Sequence, residues 1–332
     1  MEHSKVVLGL SGGVDSAVAA RLLKEAGYAV HCLYLDNGVG DAGPARQTAE
    51  ELGLPFAVRD IRGELEERVC KPFAQAYLAG RTPSPCAMCN PAVKFAALLA
   101  EADGLGAELV ATGHYARARD GRLLRGRGEK DQSYLLARLT TAQLARCLFP
   151  LGEYDKDQVR AMARDFGLSA AAAPDSMEIC FIPDDDYAAW LERRGCAAPS
   201  GEFVDPQGNV LGRHGGVHRY TLGQGSGLGV SGPHKYYVSA IRPEVNQVVL
   251  SDGTDLFTQT VRVEELNWLT PGRPSRVTAR FRHSRAETPA ELELLENGDV
   301  LVHTQEPIRA ATPGQLAVFY DGEAVVGSGW IK

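Results

Sequence analysis

Apolar residues in the first half of the chain follow two alternating patterns. Short apolar runs at Lys5–Leu10, Ala29–Leu35, Phe56–Asp60 and Glu108–Thr112 read as strands. Stretches with apolar residues three and four apart, at Val14–Ala26, Ala45–Leu52, Leu65–Leu78 and Ala92–Ala102, read as helices. This alternation predicts an α/β unit with a doubly wound parallel sheet. Ligands of such sheets bind past the carboxyl ends of the strands. The loops at 11–13, 35–40 and 112–115 are therefore expected on one rim.

Near residue 200 the pattern changes. Glycine-rich turns now separate short alternating segments: Val217–Leu222, Tyr236–Ile241, Gln247–Leu250, Val261–Leu266, Arg276–Arg282, Glu291–Leu295, Val300–Thr304, Gln315–Tyr320 and Ala324–Ser328. An all-β half is expected, divided into a small module at 205–260 and a barrel at 261–332, after an α/β unit at 1–204. Ala170–Ala173 reads as a flexible approach to the segment that follows. The length, 332 residues, suits two or three domains at roughly 150 residues each.

Composition narrows the class. Hydrophobic residues make up 44% and charged residues 23%, as in a globular protein. No apolar run reaches the roughly 18 residues of a membrane span, and the first residues lead into a strand rather than a signal peptide. Seven cysteines, an odd number, argue against a disulfide scaffold and for a reducing, cytoplasmic setting. A net charge of −7 reads at first as excluding nucleic acid.

The strongest local motif is Ser11-Gly12-Gly13-Val14-Asp15-Ser16, between a strand and a helix. Its glycines let backbone N–H groups turn toward an anion, and the following helix adds the positive end of its dipole. It lacks the lysine of GxxxxGK[ST] and the spacing of GxGxxG. Asp15 beside a phosphate implies an intervening Mg²⁺. The loop resembles the pyrophosphate loop of N-type ATP pyrophosphatases.

A second constellation is Cys86-Ala-Met-Cys89, after Gly80-Arg-Thr-Pro-Ser84-Pro85. Both thiols fall at a helix start, where the dipole is expected to favour thiolates. CxxC alone leaves zinc, iron–sulfur and redox uses open. Cys180, within Asp175-Ser-Met-Glu-Ile-Cys-Phe-Ile182, reads as either a packing residue or a nucleophile; Cys32, Cys70, Cys147 and Cys196 read as buried packing. Thr112-Gly-His-Tyr115 ends a strand at the rim, and Gly113 is expected to admit a nucleotide. Lys130-Asp-Gln-Ser-Tyr134 follows a hairpin that turns at Asp120-Gly121. Tyr220–Gly229 carries too much glycine for a core strand.

SGGVDS, GRTPxPxxxCN, TGHYA, KDQSY, PLG at 150–152, DSxxICFI, YTLGQ…GLG and PGQ…AVFYD at 313–321 occur in the order found in the tRNA-uridine 2-sulfurtransferases, which the chain resembles over nearly its whole length. The resemblance implies an N-terminal fold of the adenine nucleotide alpha hydrolase type. It implies ATP bound by Gly9, Leu10, Ser11, Gly12, Gly13, Val14, Asp15 and Ser16, with Leu35 and Gly113 on the adenosine side. Cys180 corresponds to the cysteine that carries a persulfide, and Cys89 to the one that releases sulfur through a transient disulfide. Ser84, Pro85 and Cys86 fall where the target base is faced. His114, Lys130, Asp131, Gln132, Arg280, Phe281 and Gln315 fall on positions that touch tRNA. The implied partners are tRNA and a sulfur donor, either a cysteine desulfurase or a sulfur relay protein.

The sequence departs from the family's common pattern at Cys86, where aspartate is usual. A subset of related thiolases uses three cysteines to hold a [4Fe–4S] cluster with one open iron, and three protein thiolates would leave such a position. The otherwise unassigned Cys86 tips the sequence reading toward a cluster on Cys86, Cys89 and Cys180. Gly225 and Ser226 stand where an Arg-Lys pair is frequent, and Ala173 where lysine is.

The implied reaction adenylates the C2 oxygen of the wobble uridine and then replaces it with sulfur, releasing AMP and pyrophosphate. Mg²⁺ and the loop amides would stabilise the pyrophosphate, and the base must be unstacked to react. A ligase amidating a small metabolite, and a non-catalytic RNA-binding protein, are the rival readings. Local charge qualifies the acidic total: Arg117–Lys130 holds six basic and two acidic residues, and Arg273–Arg285 holds five arginines and no acid. Phosphate binding follows local potential, so tRNA affinity is expected to depend on salt.

Overall fold

The computed structural model describes residues 4–173, 179–283 and 287–332. Its strands form three sheets. In the first, all strands are parallel, as expected. Strand β1 (Lys5–Gly9) lies between Ala29–Asp36 and Leu109–Ala111, with Phe56–Asp60 and Cys147–Leu148 at the two edges. The chain builds out to one side of β1 and later returns to its other side. A crevice therefore opens past the carboxyl ends of β1 and Leu109–Ala111, at the point where strand order reverses. Val6, Val7 and Leu8 are fully buried, since both faces of the sheet are covered.

The helices start earlier than periodicity suggests. The run expected at Leu65–Leu78 begins at Arg62, and the one expected at Ala92–Ala102 begins at Pro85. Each is interrupted by a π-helical turn, at Glu66–Cys70 and Asn90–Lys94. Pro91 has no N–H to give to the preceding turn, so the widened turn resumes hydrogen bonding at Phe95, whose amide reaches Asn90. Ala170–Ala173 is not a loose approach: Ser169–Ala172 is a 3-10 turn, and Ala170 packs into the core under α1 (Val14–Glu25).

The second sheet has the order Tyr237–Arg242, Gln247–Ser251, Gly201–Val204, Val210–His214. Its last two strands escaped the sequence pattern, and Gly201–Val204 lies ahead of residue 205. Val217–Leu222 is not a strand. Residues Val217–Arg219 form a 3-10 turn, pinned because buried His218 accepts from the Ala198 amide (3.1 Å) and meets Glu192 (3.1 Å).

In the third sheet, Phe257–Trp268 pairs with both Val300–Arg309 and Ala324–Ile331, which closes a six-stranded barrel. The hairpin Ala116–Arg119 and Arg122–Arg125, turning at Asp120 and Gly121 as expected, adds to the barrel strand Ala324–Ile331. One hydrophobic core joins Val7, Leu33 and Val110 of the parallel sheet to Leu316, Val318 and Tyr320 of the barrel. Tyr134 donates to the Leu316 carbonyl (2.7 Å), and Asn267 donates to the carbonyls of Ala137 (2.9 Å) and Leu139 (3.0 Å). The barrel thus braces the α/β half. Among the described residues no helix is long and apolar enough to cross a membrane.

Candidate active site

The rim past β1 assembles from three loops. Gly12 of SGGVDS has φ +83°, and a Cβ there would lie 2.9 Å from both the Ala45 amide nitrogen and Pro44 Cβ, so only glycine fits. Ser16 Oγ accepts from the Ser11 amide (3.1 Å) and donates to the Gly13 carbonyl (3.0 Å), locking the turn. No side chain caps α1, which leaves the first-turn amides of Val14 and Asp15 directed at the crevice. Thr112–Tyr115 faces this turn across the switch point. Gly113 packs tightly on the turn: a Cβ would lie 2.9 Å from Asp15 C and Ser16 N. Its task is close backbone packing beneath the anion loop. Leu35, half-buried at the end of its strand, borders the same rim.

Asp15 does not point freely into the crevice. Its carboxylate accepts from Tyr115 Oη (2.7 Å) and from Lys156 Nζ (2.7 and 2.8 Å). Lys156 opens the helix Lys156–Asp165, fixed by a capping box between Asp155 and Gln158. A cation in a first turn opposes the helix dipole, so Asp15 supplies the compensation. Lys156 was not identified from sequence, because its partner lies 141 residues away.

The thiols come next. Cys86 and Cys89 lie on the short helix Pro85–Cys89 and are half-buried, while Cys180 is exposed; all are free. Asn37, on the 35–40 loop, donates to the Cys180 carbonyl (3.0 Å), tying that residue to the rim. Asp175 and Ser176 of the same motif lie outside the described residues. The expectation of two thiolates is corrected. Burial pushes Cys89 up to about 11 and raises Cys86 as well, against the opposing pull of the Lys94 cation. A five-residue helix offers too small a dipole to outweigh that desolvation. Lys94, also missed from sequence, reaches Cys86, Cys89 and His114 electrostatically, and its backbone N–H bonds the Cys89 sulfur. Cys32, Cys70 and Cys147 are buried as expected; Cys196 is only half-buried.

Most residues expected against RNA also make contacts within the protein. His114 bonds Thr112 Oγ1 (2.7 Å) and packs against Phe95 and Phe149, and burial keeps it neutral. Asp131 accepts from the amides of Gly126 (2.9 Å) and Ser133 (3.0 Å), and Gln132 Oε1 accepts from the Tyr115 amide (3.0 Å). Arg280 pairs with Asp131 (3.7 Å), and Phe281 is buried in the barrel core. Gln315 donates to the carbonyls of Thr82 (2.9 Å) and Pro83 (3.2 Å), holding the approach to buried Ser84 and half-buried Pro85 and Cys86. Lys130 is exposed. The basic blocks are also partly neutralised. Arg117 pairs with Glu323, Arg125 with Glu287, Arg127 with Glu153 and Arg276 with Glu291. Local sequence charge therefore overstated the positive field.

A family model described as tRNA methyl transferase HUP domain matches residues 4–184. Models described as tRNA methyl transferase PRC-barrel domain and aminomethyltransferase beta-barrel domain match 189–252 and 258–331. The chain is 43% identical over 375 residues to tRNA-specific 2-thiouridylase MnmA of Solibacter usitatus (strain Ellin6076), covering 100% of each. It is 42% identical over 348 residues to the protein of that name from Syntrophotalea carbinolica (strain DSM 2380 / NBRC 103641 / GraBd1), covering 99% of each. The identity to the one from Acidithiobacillus ferrooxidans (strain ATCC 53993 / BNL-5-31) is 43% over 353 residues, covering 100% of this chain and 99% of that one.

Proposed function

The chain belongs to the tRNA-specific 2-thiouridylase family, and from that premise we propose that it thiolates C2 of the wobble uridine of tRNA, using ATP to activate the oxygen. The observation that carries this reading is the meeting of an anion loop with free thiols on one rim. Such thiols beside an anion loop suit transfer of sulfur to an activated carbonyl.

ATP phosphates are assigned to the Gly9–Ser16 turn, with Leu35 beside the adenosine. Mg²⁺ would neutralise pyrophosphate charge there, with Asp15 as its protein ligand. Cys180, the exposed thiol, is assigned the persulfide delivered by a sulfur-donor protein in the reducing cytoplasm. Its terminal sulfur attacks C2, AMP leaves with the C2 oxygen, and a Cys180–S–S–C2 linkage forms. Cys89 then attacks Cys180 Sγ, releasing the thiouridine and leaving a Cys89–Cys180 disulfide. An external thiol reduces it.

A [4Fe–4S] cluster finds less support in the structure than in the sequence. Among the described residues no three His, Cys, Asp or Glu side chains converge as a metal-binding group. The arrangement does not fit the cluster as it stands, and no step is derived through one.

Anaerobically purified protein, given ATP, a persulfide donor and unmodified tRNA, is expected to convert the wobble uridine to 2-thiouridine, read by nucleoside mass analysis. Cys86→Ala should retain most activity without bound iron; joint loss of iron and activity would restore the cluster. ATP–pyrophosphate exchange that ignores tRNA but responds to a small metabolite would favour a ligase. Unchanged tRNA binding with no ATP turnover would favour a binding protein.

Gly113→Ala tests the anion loop's support. Its new Cβ must displace backbone at Asp15 and Ser16, which should cost about 1–3 kcal/mol. Urea unfolding should shift accordingly, and ATP affinity should fall about tenfold, as that energy range implies. Wild-type affinity in the variant would show that the loop accommodates the methyl group.

A further inference from the structure

A cleft of about 530 Å³ opens where the helix Tyr187–Arg193, the glycine-rich segment after Tyr220 and the barrel meet. We propose that it binds one nucleotide of the RNA substrate, adjacent to the base undergoing reaction. This deepens the reading of the chain as an RNA-modifying enzyme and rests on it.

The lining carries three arginines, Arg219, Arg282 and Arg309, with Tyr187, Tyr220 and Gln224, and among the described residues no carboxylate. The cations differ in freedom. Arg219 shares Glu192 with His218. Arg282 donates to the carbonyls of Leu222 (3.1 Å) and Ala310 (3.3 Å), so it joins the glycine-rich segment to the barrel. Arg309 lies over the Tyr237 ring at 4.8 Å and has no carboxylate partner among the described residues. Its guanidinium is thus positioned by an aromatic face while its charge stays available to a phosphate.

The remaining surface suits a base. Tyr187 is held by stacking on Tyr77, with centroids 4.5 Å apart and planes 22° apart. Gln224 fixes the loop by accepting from the Thr221 amide (3.2 Å) and donating to the Ser226 carbonyl (3.0 Å). Rigid aromatic walls with fixed cations are how unstacked nucleotides are held, and the volume lies within the range of small-ligand sites.

Position ties the cleft to the reaction. Thr221 of its lining hydrogen-bonds Thr82 Oγ1 at 3.2 Å. Thr82 enters the segment that leads to Ser84, Pro85 and Cys86, and Gln315 secures that segment from the barrel side. An RNA strand whose target base faces Cys86 can therefore place a neighbouring nucleotide in the cleft.

Arg309→Gln is the test, since this side chain bridges no other element by a hydrogen bond. Binding of an anticodon stem-loop RNA, measured by fluorescence anisotropy across salt concentrations, should weaken about tenfold. The slope of log affinity against log salt should fall by about 0.7–0.9, one phosphate contact. Arg309→Lys should restore the slope, and melting temperature should stay unchanged. Wild-type affinity and slope in Arg309→Gln would overturn the proposal. So would an Arg309-dependent site for free UMP or AMP, seen by calorimetry, while RNA binding is unaltered. If the wild-type protein thiolates tRNA normally, such a result leaves the enzymatic reading intact; a wild-type protein that neither binds nor thiolates tRNA removes both.

Discussion

Cys180→Ser is expected to lower tRNA thiolation by at least about 10³-fold, the scale on which loss of a covalent nucleophile acts, while ATP still reacts at C2. Cys180 is exposed at the rim, and Asn37 anchors its carbonyl at 3.0 Å. Its loss should therefore remove sulfur delivery without disturbing the anion loop. Release of AMP and pyrophosphate in the presence of tRNA, without mass gain at the wobble uridine, is the signature. Cys89→Ser should fail one step later, trapping a covalent protein–RNA disulfide that dithiothreitol cleaves. The pH dependence follows from burial. Cys89 is pushed up to about 11, so near neutrality it is a thiol, and its thiolate fraction rises about tenfold per pH unit below that value. In single turnover the release step should accelerate with pH from 7 to 9, and the trapped species in wild-type protein should shrink. Full thiolation by Cys180→Ser would remove the persulfide assignment.

What the sequence disclosed was local chemistry. Ser11–Ser16 declares its turn through Gly12, and Asp120-Gly121 declares a hairpin, because each needs only neighbouring residues. The central strands of the parallel sheet were legible because burial on both faces leaves uninterrupted apolar runs, whereas the two-residue edge strand Cys147–Leu148 was not. The strands Gly201–Val204 and Val210–His214 were not either, since so short a strand leaves little periodic signal. Side-chain roles were least legible where partners lie far apart. Asp131, Gln132, Phe281 and Gln315 were expected only to touch RNA, and nothing local announced that they also brace the hairpin, the barrel core and the approach to Ser84. Cys89 shows the same limit: its place at a helix start suggested a thiolate, but the cost of desolvation is set by three-dimensional packing. The only sequence hints of Lys94 and Lys156 were a π turn at proline and a cation where the helix dipole opposes one.

Lys156→Met should slow ATP-dependent pyrophosphate release about 10²–10³-fold, the effect of removing one preorganised charge from a developing anion. Lys156 grips both oxygens of Asp15, with Tyr115 on Oδ1, immediately beside the amides of the anion loop. The arrangement keeps a carboxylate and a cation in balance before the nucleotide enters. On the proposed reading, incoming phosphates would draw Lys156 toward them and leave Asp15 to hold Mg²⁺. Removing Lys156 leaves Asp15 uncompensated against incoming negative charge, so ATP affinity should also fall about tenfold. Asp15→Asn in the Lys156→Met background should recover part of that affinity while turnover stays low. Lys156→Arg should retain more turnover than Lys156→Met because it keeps the charge. An ion pair with only a structural role behaves differently: where it is largely buried, as Lys156 is, its loss costs up to about 3–5 kcal/mol of stability, and turnover is unchanged. Urea unfolding of Lys156→Met beside its pyrophosphate kinetics separates these cases. Lost stability with wild-type turnover would make Lys156 a strut, whereas lost turnover with near-wild-type unfolding places its charge on the phosphates.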